Sequence, residues 1–443
     1  MIGSFRVSAN QKVTMNLQLK LRIDHFVGGS LAWLLNAGAR LAALVIKRDH
    51  SLRSPPVTVL FLKFTGLGSI ARAAFLIAAV RERYPSSRIA YACFPGCAGL
   101  LKLYPQVDEV VVIRDGDLVR LGLDTLRMIY WSWRNRVQLV IDLEVHSKYS
   151  SVVSGLTLAR DRAGFGGVTS RFRRGLYTHL VFMNPLRRVD LAYRQLGNAL
   201  GLDVAPKLVR PVPPRSAVQE VDAVLEKLGV AEQDLLLGVN PNASELRLER
   251  RWPLQQFARV IEALPTGRRI HVVLLGSPGE HAYVEQLVAL TASSGHPVHN
   301  LAGRVSFAAF TDLLDRLTVL LSNDSGPLHL AATLDTPTVS VWGPTHPATY
   351  APRGDRHKAF YRPIYCSPCV HTTDVPPCAG DNQCLKQLDW RPVAGAVVRM
   401  LGVPTGETLR EFHELPKDRS HDVYGYWRRT SVPLPSKWSR EQP

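Results

Sequence analysis

The chain has 443 residues, 46% of them hydrophobic and 21% charged, with six cysteines and a formal net charge of +17 at pH 7. That length points to two or three domains. The composition excludes a disordered or fibrous chain, and the sparse cysteines exclude a secreted disulfide scaffold.

The positive excess favours a polyanionic neighbour: nucleic acid, an anionic membrane surface or a phosphorylated substrate. The first 24 residues are polar and lack a small-residue cleavage site after an apolar core, so no cleavable signal peptide is expected and the protein is placed in the cytoplasm. Met15 offers a second possible start.

The segment from His25 to Ile46, HFVGGSLAWLLNAGARLAALVI, is long enough to suggest a membrane span. His25, Asn36, Arg40 and Lys47 fall on one side of a helix, however, and the leucines cover the rest. An amphipathic helix with a basic stripe fits an interfacial anchor; the alternative is a helix docked on the protein's own core. Residues 1–54 therefore read as an N-terminal extension carrying this helix.

From residue 55 the apolar runs VTVLFL, RIAYACF, VDEVVVI and VQLVID alternate with helical stretches, which indicates a parallel, doubly wound α/β sheet over residues 55–204. Residues 205–216 contain four prolines and read as a stiff linker. A second alternation, with runs DLLLGVN, IHVVLLG, VHNLAG, LTVLLSN and TPTVSVWG, occupies residues 217–404. Residues 405–443 form a polar, basic, Trp-dotted tail.

In such sheets ligands bind beyond the carboxyl ends of the strands. The run LTVLLSNDSG sets Asn323, Asp324, Ser325 and Gly326 at that point, and Pro327 suits the first turn of the helix that follows. Ser325 or Gly326 suits its cap. Amides at a helix start, with their partial positive charge, make a seat for phosphate. Asp324 would repel a phosphate directly and better suits sugar hydroxyls or the orientation of a basic side chain. On these residues alone, a simple turn and helix cap is the competing reading.

The stretch SNDSGPLHLAATLDTPTVSVWGPTHP resembles the signature of the family 9 glycosyltransferases, the heptosyltransferase family of lipopolysaccharide assembly. The resemblance extends through NPNASELRLERRWPLQQFARVIEAL, VVLLGSPGEH, LKFTGLGSIARA and VIDLEVHSKYSS. It implies two tandem Rossmann-like domains of the glycosyltransferase-B fold, with the donor in the C-terminal domain and the acceptor in the N-terminal one. Asp324, Ser325, Gly326 and His329 then match the donor-pyrophosphate corner. Arg250 falls where the family sets a basic residue on the donor phosphates, a task suited to a guanidinium fork. Asn242, Ser244 and Arg251 lie on the same loop, and Glu280 is positioned to accept from ribose hydroxyls.

One departure bears on chemistry. Family members usually carry Gly-Asp in the first loop, the Asp being the expected base, whereas this chain has Gly68-Ser69. A serine cannot act as a carboxylate base. Ser69 is left to position substrate, and Glu144 first and His146 second become the candidates to take the acceptor proton. Asp142, on the same strand, reads as structural.

A last cluster, Cys366, Cys369, Cys378 and Cys384, has a Cys-x-x-Cys pair and two further thiols that suit structural zinc, reduced thiols or a local disulfide. The expectation is an inverting glycosyltransferase moving heptose or a similar sugar from a nucleotide diphosphate, by resemblance ADP-heptose, to a membrane-linked saccharide. No catalytic cofactor is required, and the protein lies peripherally on the inner face of the cytoplasmic membrane. The alternative is a sugar-nucleotide-binding protein impaired in transfer. Nucleic-acid binding is not expected, since no recognition helix or aromatic-basic motif is present.

Overall fold

A computed structural model of the chain describes residues 24, 28–45, 47–204, 208–243, 245–370, 373, 376–378 and 380–403. The N-terminal residues before Asp24, the tail from 404, His25, Ser244 and part of the proline-rich stretch lie outside the described residues.

Runs of consecutive buried apolar residues are covered on both faces, which is the pattern of a parallel strand. The first sheet contains β1 (Thr58–Leu62), β2 (Arg88–Cys93), β3 (Glu109–Val112), β4 (Val137–Asp142), β5 (Asp161–Gly166) and β6 (His179–Phe182) in the order β3-β2-β1-β4-β5-β6. Every pair in it is parallel. Its helices are α1 (Gly29–Val45), α2 (Leu67–Arg83), α3 (Pro95–Leu101), α4 (Leu118–Arg134), α5 (Lys148–Leu156) and α6 (Val189–Ala199).

The second sheet contains β7 (Leu235–Asn240), β8 (Ile270–Leu274), β9 (Val298–Asn300), β10 (Val319–Asn323), β11 (Thr338–Trp342) and β12 (His357–Tyr361). Its order is β12-β11-β10-β7-β8-β9, again parallel throughout. Counted from β7, this repeats the strand order of the first sheet. Its helices are α7 (Arg215–Lys227), α8 (Leu254–Glu262), α9 (His281–Leu290), α10 (Phe307–Arg316), α11 (Gly326–Thr333), α12 (Pro347–Tyr350), α13 (Gln383–Lys386) and α14 (Trp390–Met400).

Each sheet thus reverses its winding direction once, between β1 and β4 and between β7 and β10. Those two switch points are where such sheets receive ligands. They face each other: α2 and α11, the helices that follow β1 and β10, pack directly together. An apolar core runs through this junction from Ile70 and Leu76 to Leu314 and Leu330. A β-carbon at Gly68 would stand 2.4 Å from Cδ2 of His329, so only glycine allows that approach. Gly66, just before α2, has φ of 93°, a left-handed turn that also favours glycine.

Helix α1 docks in an unusual sense. Its polar side meets the body: Asn36 is buried and donates to the Phe172 carbonyl at 2.6 Å, and Arg40 donates to the Arg174 carbonyl at 3.2 Å. Leu31, Leu34, Leu41 and Leu44 face outward.

The end of β4 is fixed by Arg173, whose side chain is fully buried. Its guanidinium lies 3.2 Å from Asp142 and donates to the Glu144, Ser147 and Phe165 carbonyls and to the Ser150 and Ser151 hydroxyls. Asp142 also accepts from Ser150 and Tyr177. Removing one partner of such a buried pair leaves an uncompensated charge, at a cost of about 3–5 kcal/mol. Arg173→Met is accordingly expected to lower the free energy of denaturant unfolding by that amount; an unchanged midpoint and slope would show that the pair contributes nothing.

Candidate active site

The second sheet supplies one wall. Ser325 occupies the cap position of α11, but its side chain makes no capping bond. Its hydroxyl instead accepts from Asn240 at 2.8 Å and meets Ser322 at 3.0 Å, locking β7 to β10. The expected capping role is therefore replaced by a cross-strand one, and the first amides of α11 have no side-chain partner.

Asp324, next to it, is buried. Its Oδ2 lies 3.5 Å from Arg250 Nε and its Oδ1 lies 3.6 Å from His329 Nε2. Burial by itself would raise this carboxyl's pKa, but Arg250, His329 and Thr345 outweigh it and hold the group at about 2. His329 moves down, because burial and the nearby Arg72 and Arg250 outweigh Asp324, so the imidazole is neutral at physiological pH.

Several buried polar atoms here make no hydrogen bond within the protein: Arg250 Nε, Arg251 Nε, Asn242 Oδ1 and Asp324 Oδ2. Such atoms cost about 1–3 kcal/mol each when left unmet, and their concentration at one corner marks a place for a polar ligand. Asn323 assembles the corner: it accepts from the Trp252 amide and donates to the Pro241 carbonyl, joining the loops after β7 and before α8.

Glu280 sits at the rim. One of its oxygens accepts from the Ser277 amide and hydroxyl at 2.8 Å in a capping box, while the other lies 3.6 Å from Arg251. Arg251 also stacks over Tyr283, 4.1 Å from the ring centre. Ser244 lies outside the described residues.

The first sheet supplies the opposite wall. Ser69 is in the first turn of α2, beside the Gly68–His329 contact. Glu144 has both oxygens engaged, one with Lys63 Nζ at 2.8 Å and the other with the Phe64 amide at 2.9 Å. Although burial opposes it, the Glu144 carboxylate raises the Lys63 ammonium above its ordinary value. A carboxylate held this way staples β4 to β1; sequence reasoning missed the clamp because Lys63 is 81 residues away. His146, beyond the strand, is exposed. Burial of part of the ring, then Arg173 and Lys63, lower its pKa, so its imidazole is neutral and can accept a proton. Arg72, which the sequence reading did not single out, bridges the walls by donating to the Thr349 carbonyl and pairing with Asp190.

The four cysteines line one cavity of about 70 Å³ together with Glu249 and Asn382. None of the four is in a disulfide, and among the described residues no group of three or more such side chains is arranged to hold a metal ion. Burial raises Cys384 to about 11, which keeps it protonated at neutral pH. The loop grips both sides of the corner. Asn382 donates to the Glu249 and Arg251 carbonyls, and the amides of Cys369 and Val370 donate to the Pro344 carbonyl.

Residues 190–379 match the model of "Glycosyltransferase family 9 (heptosyltransferase)". Lipooligosaccharide heptosyltransferase 2 of Haemophilus influenzae is 24% identical over 314 residues, 68% of this chain and 87% of that protein. Lipopolysaccharide heptosyltransferase 2 of Salmonella typhimurium is 27% identical over 303 residues, 66% of this chain and 84% of that one. Over residues 190–379 the chain is similar to glycosyltransferase family 9, and over about two thirds of its length it is similar to lipopolysaccharide heptosyltransferases. Among solved structures, ADP-heptose lipopolysaccharide heptosyltransferase II of E. coli superposes with a TM-score of 0.63 at 20% identity, covering 78% of this chain and 98% of the other. The E. coli heptosyltransferase WaaC with ADP gives 0.54 at 17% identity, covering 78% and 97%. These likenesses show the two-domain fold.

The grip of Asn382 on the carbonyls either side of Arg250 makes it a positioning residue for the corner. Asn382→Ala removes two side-chain hydrogen bonds, each worth about 0.5–1.5 kcal/mol. ADP affinity measured by calorimetry should fall at least several-fold while the far-ultraviolet circular dichroism is retained; unchanged affinity would detach the cysteine loop from the site.

Proposed function

We propose that the protein transfers heptose, with inversion, from ADP-heptose to a lipopolysaccharide core or a closely related envelope glycolipid, working at an anionic membrane surface. The observation that carries this reading is the corner where buried polar atoms of Arg250, Arg251, Asn242 and Asp324 lack hydrogen bonds beside the uncapped start of α11. The names of the relatives supply the donor and acceptor class.

In this reading the acceptor hydroxyl attacks the anomeric carbon from the N-terminal side, the bond to the diphosphate oxygen breaks, and ADP leaves. Arg250 and the amides of α11 offset the charge that develops on the leaving diphosphate. Asp324 keeps Arg250 in place, and Ser69 positions the acceptor. The proton goes to His146, because Asp142 is fully buried and bonded while Glu144 is neutralised by Lys63.

Two measurements test this. Arg250→Ala and Asp324→Ala should each weaken ADP and ADP-heptose binding in calorimetry by about 1.5–3 kcal/mol, the worth of a charge-assisted contact. Equal affinity in both variants removes the donor corner.

The base is tested by pH. Since the lowered pKa of His146 leaves it neutral at pH 7, turnover followed by ADP release should be flat there and decline only as pH falls through a value below the ordinary imidazole range. His146→Gln should cost roughly 10²–10⁴-fold in rate and abolish that acid limb. Wild-type rates in this variant would clear His146, and tight ADP-heptose binding without turnover on any core glycolipid would favour a binding protein.

A further inference from the structure

Helix α4 (Leu118–Arg134) carries an apolar stripe on its outer side. At 100° per residue, Val119, Leu123, Leu126, Tyr130 and Trp133 fall within an arc of about 80°, and they are 48–71% exposed. The helix already has its core face, formed by Met128 and Ile129, so this is a second apolar face. Arg120, Arg127 and Arg134 run along the flank of the stripe, all exposed. On that flank Asp117 pairs with Arg120, and Asp124 pairs with Arg114 and Arg127, so with Arg134 the four arginines outnumber the two carboxylates and leave a net positive flank.

Helix α1 presents the same arrangement. With Asn36 and Arg40 turned inward, Trp33, Leu34, Leu41, Leu44 and Val45 are 58–85% exposed. The two helices flank α5 (Lys148–Leu156). Thr125 and Trp133 of α4 bond Tyr149 and the Leu156 carbonyl, while Leu35 of α1 packs near Gly155. Both therefore lie on one side of the first sheet. Lys47 and Arg48 add charge at the end of α1.

We infer that α1 and α4 together form one docking face whose occupant is the surface of a bilayer containing anionic phospholipid; this rests on the proposed membrane-linked acceptor. Tryptophan and tyrosine among leucines suit the boundary between headgroups and chains, and the flanking arginines suit the phosphates. Among the described residues no helix is long and apolar enough to cross a membrane, so docking is in the plane.

The test uses the full chain in flotation with vesicles of phosphatidylcholine alone or with phosphatidylglycerol. The wild type is expected to float with the anionic vesicles and to be released by salt. Val119→Ser/Leu123→Ser/Leu126→Ser alters only exposed positions, so its circular dichroism and ADP affinity should match the wild type while its bound fraction falls at least about tenfold. Arg120→Gln/Arg134→Gln should bind less and with weaker salt dependence. Flotation of the triple serine variant equal to wild type overturns the inference. So does a dimer that the same variant dissociates while wild type ignores vesicles, which would make a second copy the occupant. Flotation that appears only after residues 404–443 are removed overturns it too, by making that segment the cover. Normal ADP-heptose turnover with failed flotation sinks the docking face alone, whereas flotation without ADP-heptose binding sinks the transferase reading alone.

Discussion

His329 rests on the backbone of Gly68, where a β-carbon would come within 2.4 Å of the imidazole. That contact sets how closely the two sheets approach, and the site depends on it. His329 faces Asp324, which faces Arg250, so the position of that arginine traces back to a missing methyl group on the opposite domain. The same approach brings Ser69 and the start of α11 to one cleft, and Arg72 reinforces it through Asp190 and the Thr349 carbonyl. An alanine at Gly68 would have to push back a ring that is itself buried and packed edge-on against Trp342.

Charge is handled differently on the two walls. On the acceptor side, charged groups are paired internally: Lys63 with Glu144, Arg173 with Asp142. These pairs hold β1, β4 and the following turn in register. On the donor side, the pairing is loose: Arg250 and Asp324 are 3.5 Å apart, and buried atoms of both lack hydrogen bonds. Loose pairing in a dry corner is unfavourable for the protein alone, and a polar ligand that supplied the missing hydrogen bonds would offset that cost. The cysteine loop fits this division, since it braces the loose wall from behind through Asn382 and the Pro344 carbonyl.

The double-wound fold was legible because the central strands are unbroken apolar runs. The sequence reading did not pick out β5, β6 or β12. The run DRAGFG of β5 mixes charge and glycine, and β6 and β12 are short strands at sheet edges, where one flank is unpaired and apolar patterning is weak. That these residues share one corner was legible for a local reason: Asp324, Ser325, Gly326 and His329 sit within six residues of one strand end. What sequence could not supply was the side-chain partner. Glu144 reads as a free carboxylate until Lys63 is folded against it, and Ser325 reads as a cap until Asn240 claims its hydroxyl. The outward stripe of α4 was hidden for the opposite reason, since periodic leucines imply a core face and nothing local says that the core lies on the other side.

The direction of the helices connects the apolar face to the chemistry. Helix α5 begins at the carboxyl end of β4, which is the cleft end of the sheet. Gly29 of α1 lies beside Lys148 and Leu35 beside Gly155, so α1 runs parallel to α5. Thr125 beside Tyr149 and Trp133 beside Leu156 give α4 the same direction. All three therefore start near the cleft and run away from it, and α1 and α4 are each about 25 Å long. A bilayer in contact with both would lie along the flank of the acceptor domain, with the cleft mouth opening past its edge. A saccharide attached to a lipid in that bilayer then needs to extend only along the surface to meet Ser69 and His146, while the donor corner stays on the far wall, open to water-soluble nucleotide sugar.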